Sequence, residues 1–323
     1  MTTPVVRTPL ALLPTPLVAT PRLAEALGLE SELLVKRDDL TGFAVAGNKA
    51  RQLEMLVAEA CDMGADVFVT GGSLASNFVS AATAAALQTG LRCVLVIAGP
   101  PVPVRSHPNL AAATAWGAQV RWTGDPDRRS VDVELPVVAA ELAGRGFVPY
   151  VAPRGGANVT GSIGYRLAVD ELLTQLAGQT LAQPPTVVVP TGSGGTLAGV
   201  VAGIVAHGRP GRVVGASVSR PAAEVAGLVL ELSRKVAARL GEEPPDVADV
   251  HVVDARGPGH GLASAEGTAA AALALRHAGL VLDPVYTAKA LAALPAQVGD
   301  GPAVFWHTGG LLDAVAGLLE DTP

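Results

Sequence analysis

The sequence predicts an α/β protein with two open, twisted, mostly parallel sheets flanked by helices, the smaller sheet carried by a domain inserted into a larger one. Three observations predict it. Short β-branched runs alternate with longer helical stretches along the chain, the pattern of βαβ units. Several of those runs are continuously apolar, as strands covered on both faces are. The chain has 323 residues, more than the roughly 250–300 that one core holds, so two domains are expected.

In chain order, the first strand expected is Leu33–Lys36, followed by the small, loop-like seam Thr41–Gly47 and a helix over Asn48–Met63. Strand Val67–Thr70 feeds helix Ser76–Thr89, and strand Cys93–Ile97 with helix Asn109–Trp116 repeats the unit. Strand Gln119–Trp122 leads to helix Val131–Ala143, and a second seam, Pro149–Thr160, is rich in glycine with interspersed proline. Helix Ser162–Leu176, strand Thr186–Val189 and helix Thr196–His207 follow, then strand Val213–Val218 and helix Ala222–Leu240. A polar loop, Gly241–Pro245, precedes strand His251–Val253. Helices Ala265–Ala278 and Thr287–Leu294, strand Ala303–His307 and helix Leu311–Glu320 complete the list. The seams bound a small inserted domain, 47–152, within a large domain made of 1–46 and 153–323.

Composition narrows the function. Hydrophobic residues are 49% and charged residues 16%, within globular bounds. A net charge of -6 argues against nucleic acid or an anionic membrane as a partner, while leaving room for a local basic pocket. The longest apolar stretches, such as Ala81–Ala86 and Cys93–Ala98, are far too short to span a bilayer. Met1–Pro14 lacks the sustained apolar run of a signal peptide. Cys61 and Cys93 lie in apolar segments without metal spacing, so buried, reduced thiols in a cytoplasmic protein are expected. With six scattered histidines and no H-E-x-x-H, no metal is expected.

Five segments can carry chemistry. Pro190–Thr196 follows an apolar strand and opens a helix; it is either a tight turn or a phosphate cradle of backbone N–H groups. It is not a Walker A loop, since no Gly-Lys-Ser/Thr follows, and Leu197 stands where G-x-G-x-x-G needs its third glycine. Gly47-Asn48-Lys49 places a lysine at a helix start, where it is a solvated first-turn residue or an amine able to condense with an aldehyde. The nearby Lys36, Arg37, Asp38 and Asp39 read as a local ion-pair cluster. In Gly71–Phe78, Ser76 and Asn77 are helix-capping residue types, and the same turn can offer N–H donors to a carboxylate. Asp283–Ala290 and Trp306–Gly310 are the remaining two; Tyr286 is a core tyrosine or a site residue.

Taken in order, Lys36-Arg37-Asp38-Asp39, Gly47-Asn48-Lys49, Ser76-Asn77, Gly192-Ser193-Gly194-Gly195-Thr196, Asp283-Pro284-Val285-Tyr286 and His307-Thr308-Gly309-Gly310 resemble the D-cysteine desulfhydrase and aminocyclopropane-carboxylate deaminase family. That family belongs to the tryptophan-synthase-β-like, fold type II pyridoxal phosphate enzymes. The resemblance runs from about Leu13 to Gly310. It implies pyridoxal 5'-phosphate in the cleft between the two domains, a small amino-acid substrate and a homodimer. By the same resemblance, Lys49 matches the Schiff-base lysine and Asn77 the asparagine that bonds the cofactor's ring hydroxyl. Gly192, Ser193, Gly194, Gly195 and Thr196 match the phosphate loop. Ser76 and Tyr286 match substrate-side residues, Thr308 a hydroxyl near the pyridine nitrogen, and Thr287 is expected near the same place.

Five positions in four motifs depart from the family pattern. Gln-Ser-Asn-His is Ala75-Ser76-Asn77-Phe78 here, and Gly-Tyr-Gly is Gly259-His260-Gly261. The deaminases' glutamate after the tyrosine is Thr287, and Gly-Gly-Ser-Asn is Gly155-Gly156-Ala157-Asn158. The implied chemistry is α,β-elimination to a keto acid and ammonia. Lys49 is the base for the α-proton, and Tyr286, Ser76 or His260 moves protons at the leaving group. The alternatives are cyclopropane ring opening, a repurposed β-replacement or secondary-metabolism enzyme, and a non-catalytic cofactor-binding protein.

Overall fold

The computed structural model describes residues 5–45 and 47–320. The chain begins β1 (Leu17–Ala19), α1 (Pro21–Ala26), β2 (Leu33–Arg37), α2 (Lys49–Asp62), β3 (Val67–Gly72), α3 (Asn77–Gln88) and β4 (Arg92–Ile97). It continues α4 (Pro108–Ala115), β5 (Gln119–Trp122), α5 (Ser130–Gly144), β6 (Pro149–Val151), α6 (Val159–Ala177), β7 (Thr186–Thr191) and α7 (Gly195–Ala206). It closes with β8 (Arg212–Ser217), α8 (Ala222–Leu240), β9 (His251–Asp254), α9 (Ala265–Ala278), α10 (Thr287–Ala293), β10 (Ala303–His307) and α11 (Leu311–Glu320).

A six-stranded sheet has the order β1-β2-β10-β7-β8-β9, and a four-stranded sheet the order β5-β4-β3-β6. β1 is antiparallel to β2; the other pairings are parallel. The α/β class with two mostly parallel sheets is therefore as the sequence predicts.

Three elements were not expected. β1 and α1 are short and separated only by Thr20, too short for any periodicity to show. β6 lies inside the segment read as a seam. Its opening residue, Pro149, pairs with Val67 at the sheet edge, where a residue without an N–H is tolerated. Cys93 is buried, but Cys61 is exposed. The apolar neighbours of Cys61 face inward from α2, and one residue past buried Ala60 the helix has turned it toward solvent. Among the described residues, no helix is long and apolar enough to cross a membrane.

Helix α2 is the hinge of the packing. Its Leu53, Leu56 and Val57 join Phe68, Phe78 and Leu95 in the core of the four-stranded sheet. On another face, Met55 packs with Ile163, Ala202 and Val236. Each such buried aliphatic side chain stabilises by about 1.5–3 kcal/mol relative to exposure.

Beneath α2 lies a polar knot. Arg51 donates to Asp38 at 2.9 and 3.0 Å and to Glu171 at 2.8 and 3.0 Å. Lys36 donates to Glu171, to the Thr15 carbonyl and to Gln175, and Asp38 also accepts from Thr15, Tyr165 and Trp306. Only Arg37 and Asp39 of the expected local cluster pair with each other, at 2.7 Å. Lys36 and Asp38 point inward instead and join distant segments.

Candidate active site

The turns after β3, β7, β8 and β10 contribute to one cleft of about 360 Å³. Carboxyl ends of parallel strands are where open α/β sheets bind ligands.

After β7, Gly194 takes φ 94° and turns the chain into α7, a conformation that suits glycine. The N–H groups of Gly192, Ser193 and Gly194 meet no backbone acceptor among the described residues. The first N–H groups of α7 are also open by helix geometry. This is an anion cradle. The Thr196 hydroxyl accepts from Asn48 Nδ2 at 2.9 Å, leaving its own proton to donate. Gln52 Nε2 is buried without a partner among the described residues and lies 2.9 Å from where a Cβ on Gly195 would stand. Gly192, Ser193, Gly194 and Thr196 line the cleft. Gly195 does not; it closes the helix start against Ala157 and Gln52.

Lys49 lines the same cleft. Gly47, at φ 55°, presses against the Thr308 carbonyl and Gly309 too closely for any side chain, and Asn48 N donates to Thr308 O at 2.9 Å. These contacts tie the start of α2 to the end of β10, and Thr308 lines the cleft beside it. Lys49 Nζ donates to Gln52 Oε1 at 3.1 Å and forms no ion pair among the described residues. Burial lowers the amine to about 8, so its free base at neutral pH far exceeds that of an ordinary lysine. The free base is the form that attacks an aldehyde.

Ser76 caps α3 by accepting from Phe78 N at 3.3 Å and also faces the cleft. Asn77 is held from behind: Ser80 donates to Asn109 Oδ1 at 2.6 Å, and Asn109 Nδ2 donates to Asn77 Oδ1 at 2.9 Å. With its oxygen engaged, the Asn77 amide has its NH₂ left to present. Phe78 touches the cleft but is 1% exposed and packs on Leu56 and Gly156. It therefore changes the wall less than its place in the sequence suggests.

Tyr286 and His260 line the cleft together, stacked edge to face with centroids 6.0 Å apart; Tyr286 abuts Gly192, and His260 Nε2 lies 3.5 Å from Ser73 Oγ. Burial, then the charges of Arg128, Lys289 and Arg154, pushes His260 down to about 4. It is neutral at physiological pH and acts only as an acceptor or neutral donor. Burial, then Asp283 and Asp313, raises Tyr286, which keeps its proton. Lys289 fixes the His260 loop by donating to the Arg256 and Gly259 carbonyls at 2.7 and 2.8 Å. Thr287 does not line the cleft. It is fully buried, and its hydroxyl donates to the Asp283 carboxylate at 2.6 Å. The hydroxyl that the resemblance expects near the pyridine nitrogen is thus engaged with Asp283 and does not face the cleft. Asp283, which also accepts from the N–H groups of Val285, Tyr286 and Thr287, takes its place in the lining.

The sequence reading did not identify Gln52, Asn109, Arg128 or Asp283 as site residues. Asp283 alone had a local signal: an Asp before Pro-Val-Tyr, closing the turn that opens α10. Among the described residues, no group of three or more His, Cys, Asp or Glu side chains is placed to hold a metal.

Comparisons with known proteins show the family. A family model described as pyridoxal-phosphate dependent enzyme matches residues 9–309. D-cysteine desulfhydrase of Salmonella paratyphi C (strain RKS4594) is 36% identical over 312 residues, 92% of each chain. The structure of an ACC deaminase homologue superimposes with a TM-score of 0.87 at 31% identity, over 97% of this chain and 95% of that one. A fungal L-serine ammonia-lyase from Rhizomucor miehei shares the fold, with a TM-score of 0.69 at 19% identity over 96% and 98%. Open N–H donors for a phosphate and a lysine of lowered pKa fit the cofactor these proteins imply. The chain therefore belongs to the pyridoxal-phosphate dependent enzyme family, as a lyase with pyridoxal 5'-phosphate as its cofactor.

Proposed function

We propose that the protein removes the α-proton and the β-substituent of a small, D-cysteine-like amino acid, yielding a keto acid and ammonia. The observation that carries this reading is Lys49, an amine lowered to about 8 by burial, in one cleft with the open N–H groups of the Gly192–Thr196 loop. The similarity to D-cysteine desulfhydrase supports the substrate class. The same reading takes 47–152 as the small domain and 1–46 with 153–323 as the large one, because the four-stranded sheet draws its strands from 67–151. It includes a homodimer and a cytoplasmic location.

When bound, pyridoxal phosphate supplies the electron sink that acidifies the substrate's α-carbon. Lys49 would hold the cofactor's aldehyde, and its amine would take the substrate's α-proton. Gly192, Ser193, Gly194 and Thr196 hold the phosphate, with Gly195 shaping the turn behind them. Asn77, fixed by Asn109, orients the ring hydroxyl. Thr308, which lines the cleft, would meet the ring nitrogen with a neutral hydroxyl and so would not favour its protonation as a carboxylate does. Ser76 receives the substrate carboxylate at the start of α3. Tyr286, which keeps its proton, donates toward the leaving group, while His260, neutral, accepts.

A second reading, cyclopropane ring opening, is favoured by the ACC deaminase homologue. Against it, the position where deaminases carry glutamate is Thr287, turned away into Asp283. The test is keto-acid release from D-cysteine, β-chloro-D-alanine, their L-forms and aminocyclopropane carboxylate, compared by kcat/KM. Turnover of a β-substituted amino acid above the cyclopropane is expected. Efficient turnover of the cyclopropane alone overturns the proposal.

A further inference from the structure

The cleft is more positive than the chain as a whole, whose net charge is -6. Besides Lys49, its lining includes Arg128, Arg154, Arg220 and Lys235. Three of these four are matched. Arg154 pairs with Asp132 at 2.5 Å, Arg220 with Glu224 at 3.5 Å, and Lys235 with Glu231 at 2.5 Å. Arg128 forms no ion pair among the described residues. Its one hydrogen bond there crosses from the segment between β5 and α5 to the Ser219 carbonyl after β8, at 2.8 Å. It therefore spans from the four-stranded to the six-stranded sheet over the cleft. Burial lowers its pKa, and the charges of Arg220 and Arg154 lower it further. A half-buried guanidinium facing like charges is costly unless an anion joins it.

Three anions could do so. The cofactor phosphate already has a cradle of N–H groups and the Thr196 hydroxyl. The substrate's α-carboxylate has the start of α3. Arg128 lines the same cleft as His260 and Tyr286 and its charge reaches both, the pair assigned above to the leaving group; its own hydrogen bond goes to the Ser219 carbonyl, and Ser219 in turn donates to the Gly192 carbonyl at 2.9 Å. A guanidinium fork suits a carboxylate, sulfonate or phosphate bidentately.

We propose that Arg128 binds a second negative charge on the substrate, carried by the β-substituent, so that the preferred substrates are amino acids with an anionic leaving group. This rests on the elimination reading. The step balances without a co-reactant other than water. The α-proton passes to Lys49, and the Cα–H electron pair forms the Cα=Cβ bond. The Cβ–X pair leaves with the anionic group, and water converts the resulting enamine to keto acid and ammonia.

The holoenzyme is assayed with O-phosphoserine and S-sulfocysteine against neutral β-chloroalanine and serine, in both enantiomers. The wild type and the variants Arg128→Met and Arg128→Lys are compared by kcat/KM and, independently of turnover, by the affinity read from the change in cofactor absorbance on binding. The expected result is an anionic-over-neutral affinity ratio, for phosphoserine over serine, that falls by about tenfold or more in Arg128→Met and is partly restored in Arg128→Lys. A wild type that turns over the neutral substrates but binds phosphoserine no better than serine overturns this inference and leaves elimination standing. Absence of keto acid from every substrate overturns elimination, and the absorbance arm still reads the charge preference. Equal losses for neutral and anionic ligands in Arg128→Met assign the residue to the α-carboxylate and overturn the inference. Weakened cofactor binding alone assigns it to the cofactor phosphate, with the same consequence.

Discussion

Around Asp38 every charged group has a partner inside the protein, whereas around Lys49 several polar groups have none. In the first region, Arg51 and Asp38, 3% and 0% exposed as side chains, are joined to Lys36 and Glu171 by several hydrogen bonds each. Burial alone would raise Asp38. The charge and bonds of Arg51, with bonds from Tyr165 and Thr15, outweigh it and hold the carboxyl at about 2. In the second region, among the described residues, Gln52 Nε2 and His260 Nδ1 are buried without a partner, and Lys49 and Arg128 lack a carboxylate. Both regions mix opposite charges with hydroxyls and amides, so composition does not separate them. Closure does: satisfied groups lock elements together, and open ones are left to meet a ligand.

The largest effect that would break this contrast is on stability. Arg51→Met leaves Asp38 and Glu171 without their guanidinium, and a cost of roughly 3–5 kcal/mol is expected. Urea unfolding of wild type and variant measures it; a loss below about 1 kcal/mol would mean that the knot does not lock these elements together. On the cleft side, Thr196→Val keeps the shape and removes one donor. About a tenfold rise in the dissociation constant of pyridoxal phosphate is expected, read by fluorescence titration, together with a loss of about 1–3 kcal/mol in stability from the Asn48 amide left without its acceptor. A variant that binds cofactor like its parent removes Thr196 from the cradle.

The smallest effect is a difference in pH response. Asp38 is depressed, so its contribution is complete above its ordinary value of 3.8 and is lost as pH falls through about 2. Asp313 runs the other way. Burial, then Asp283, raises it to about 6, so the folded state holds its proton more tightly than the unfolded chain. Stability therefore falls as pH rises from about 4 to 6. Asp313→Asn should abolish that decline and lift the thermal midpoint above pH 6 by about 2–4 °C. Parallel Tm profiles from pH 4 to 7 in the two proteins would contradict the assignment.

What was legible in the sequence was local. The Gly192–Thr196 turn follows an apolar strand and opens a helix within ten residues, and Gly47-Asn48-Lys49 stands at a helix start. Strand period, turn chemistry and capping types are all read over such windows. What was missed is held by long-range contacts. Asn109 reaches Asn77 across 32 residues, and Arg128 reaches Ser219 across 91. Neither side chain carries a local mark. Thr287 shows the opposite error: the motif placed it next to Tyr286 and so near the cofactor. One residue along a helix is a 100° turn, and that turn sends its hydroxyl into Asp283. Pro149 hid β6 because a proline was taken for a break where the sheet has an edge.

The role proposed for Lys49, holding the cofactor, can be tested directly. The purified holoenzyme is reduced with borohydride and digested, and the peptides are mapped by mass. A pyridoxyl-phosphate adduct on Lys49 is the predicted result. An adduct on Lys36 or Lys289, or a cofactor that washes away with every lysine unmodified, would contradict it.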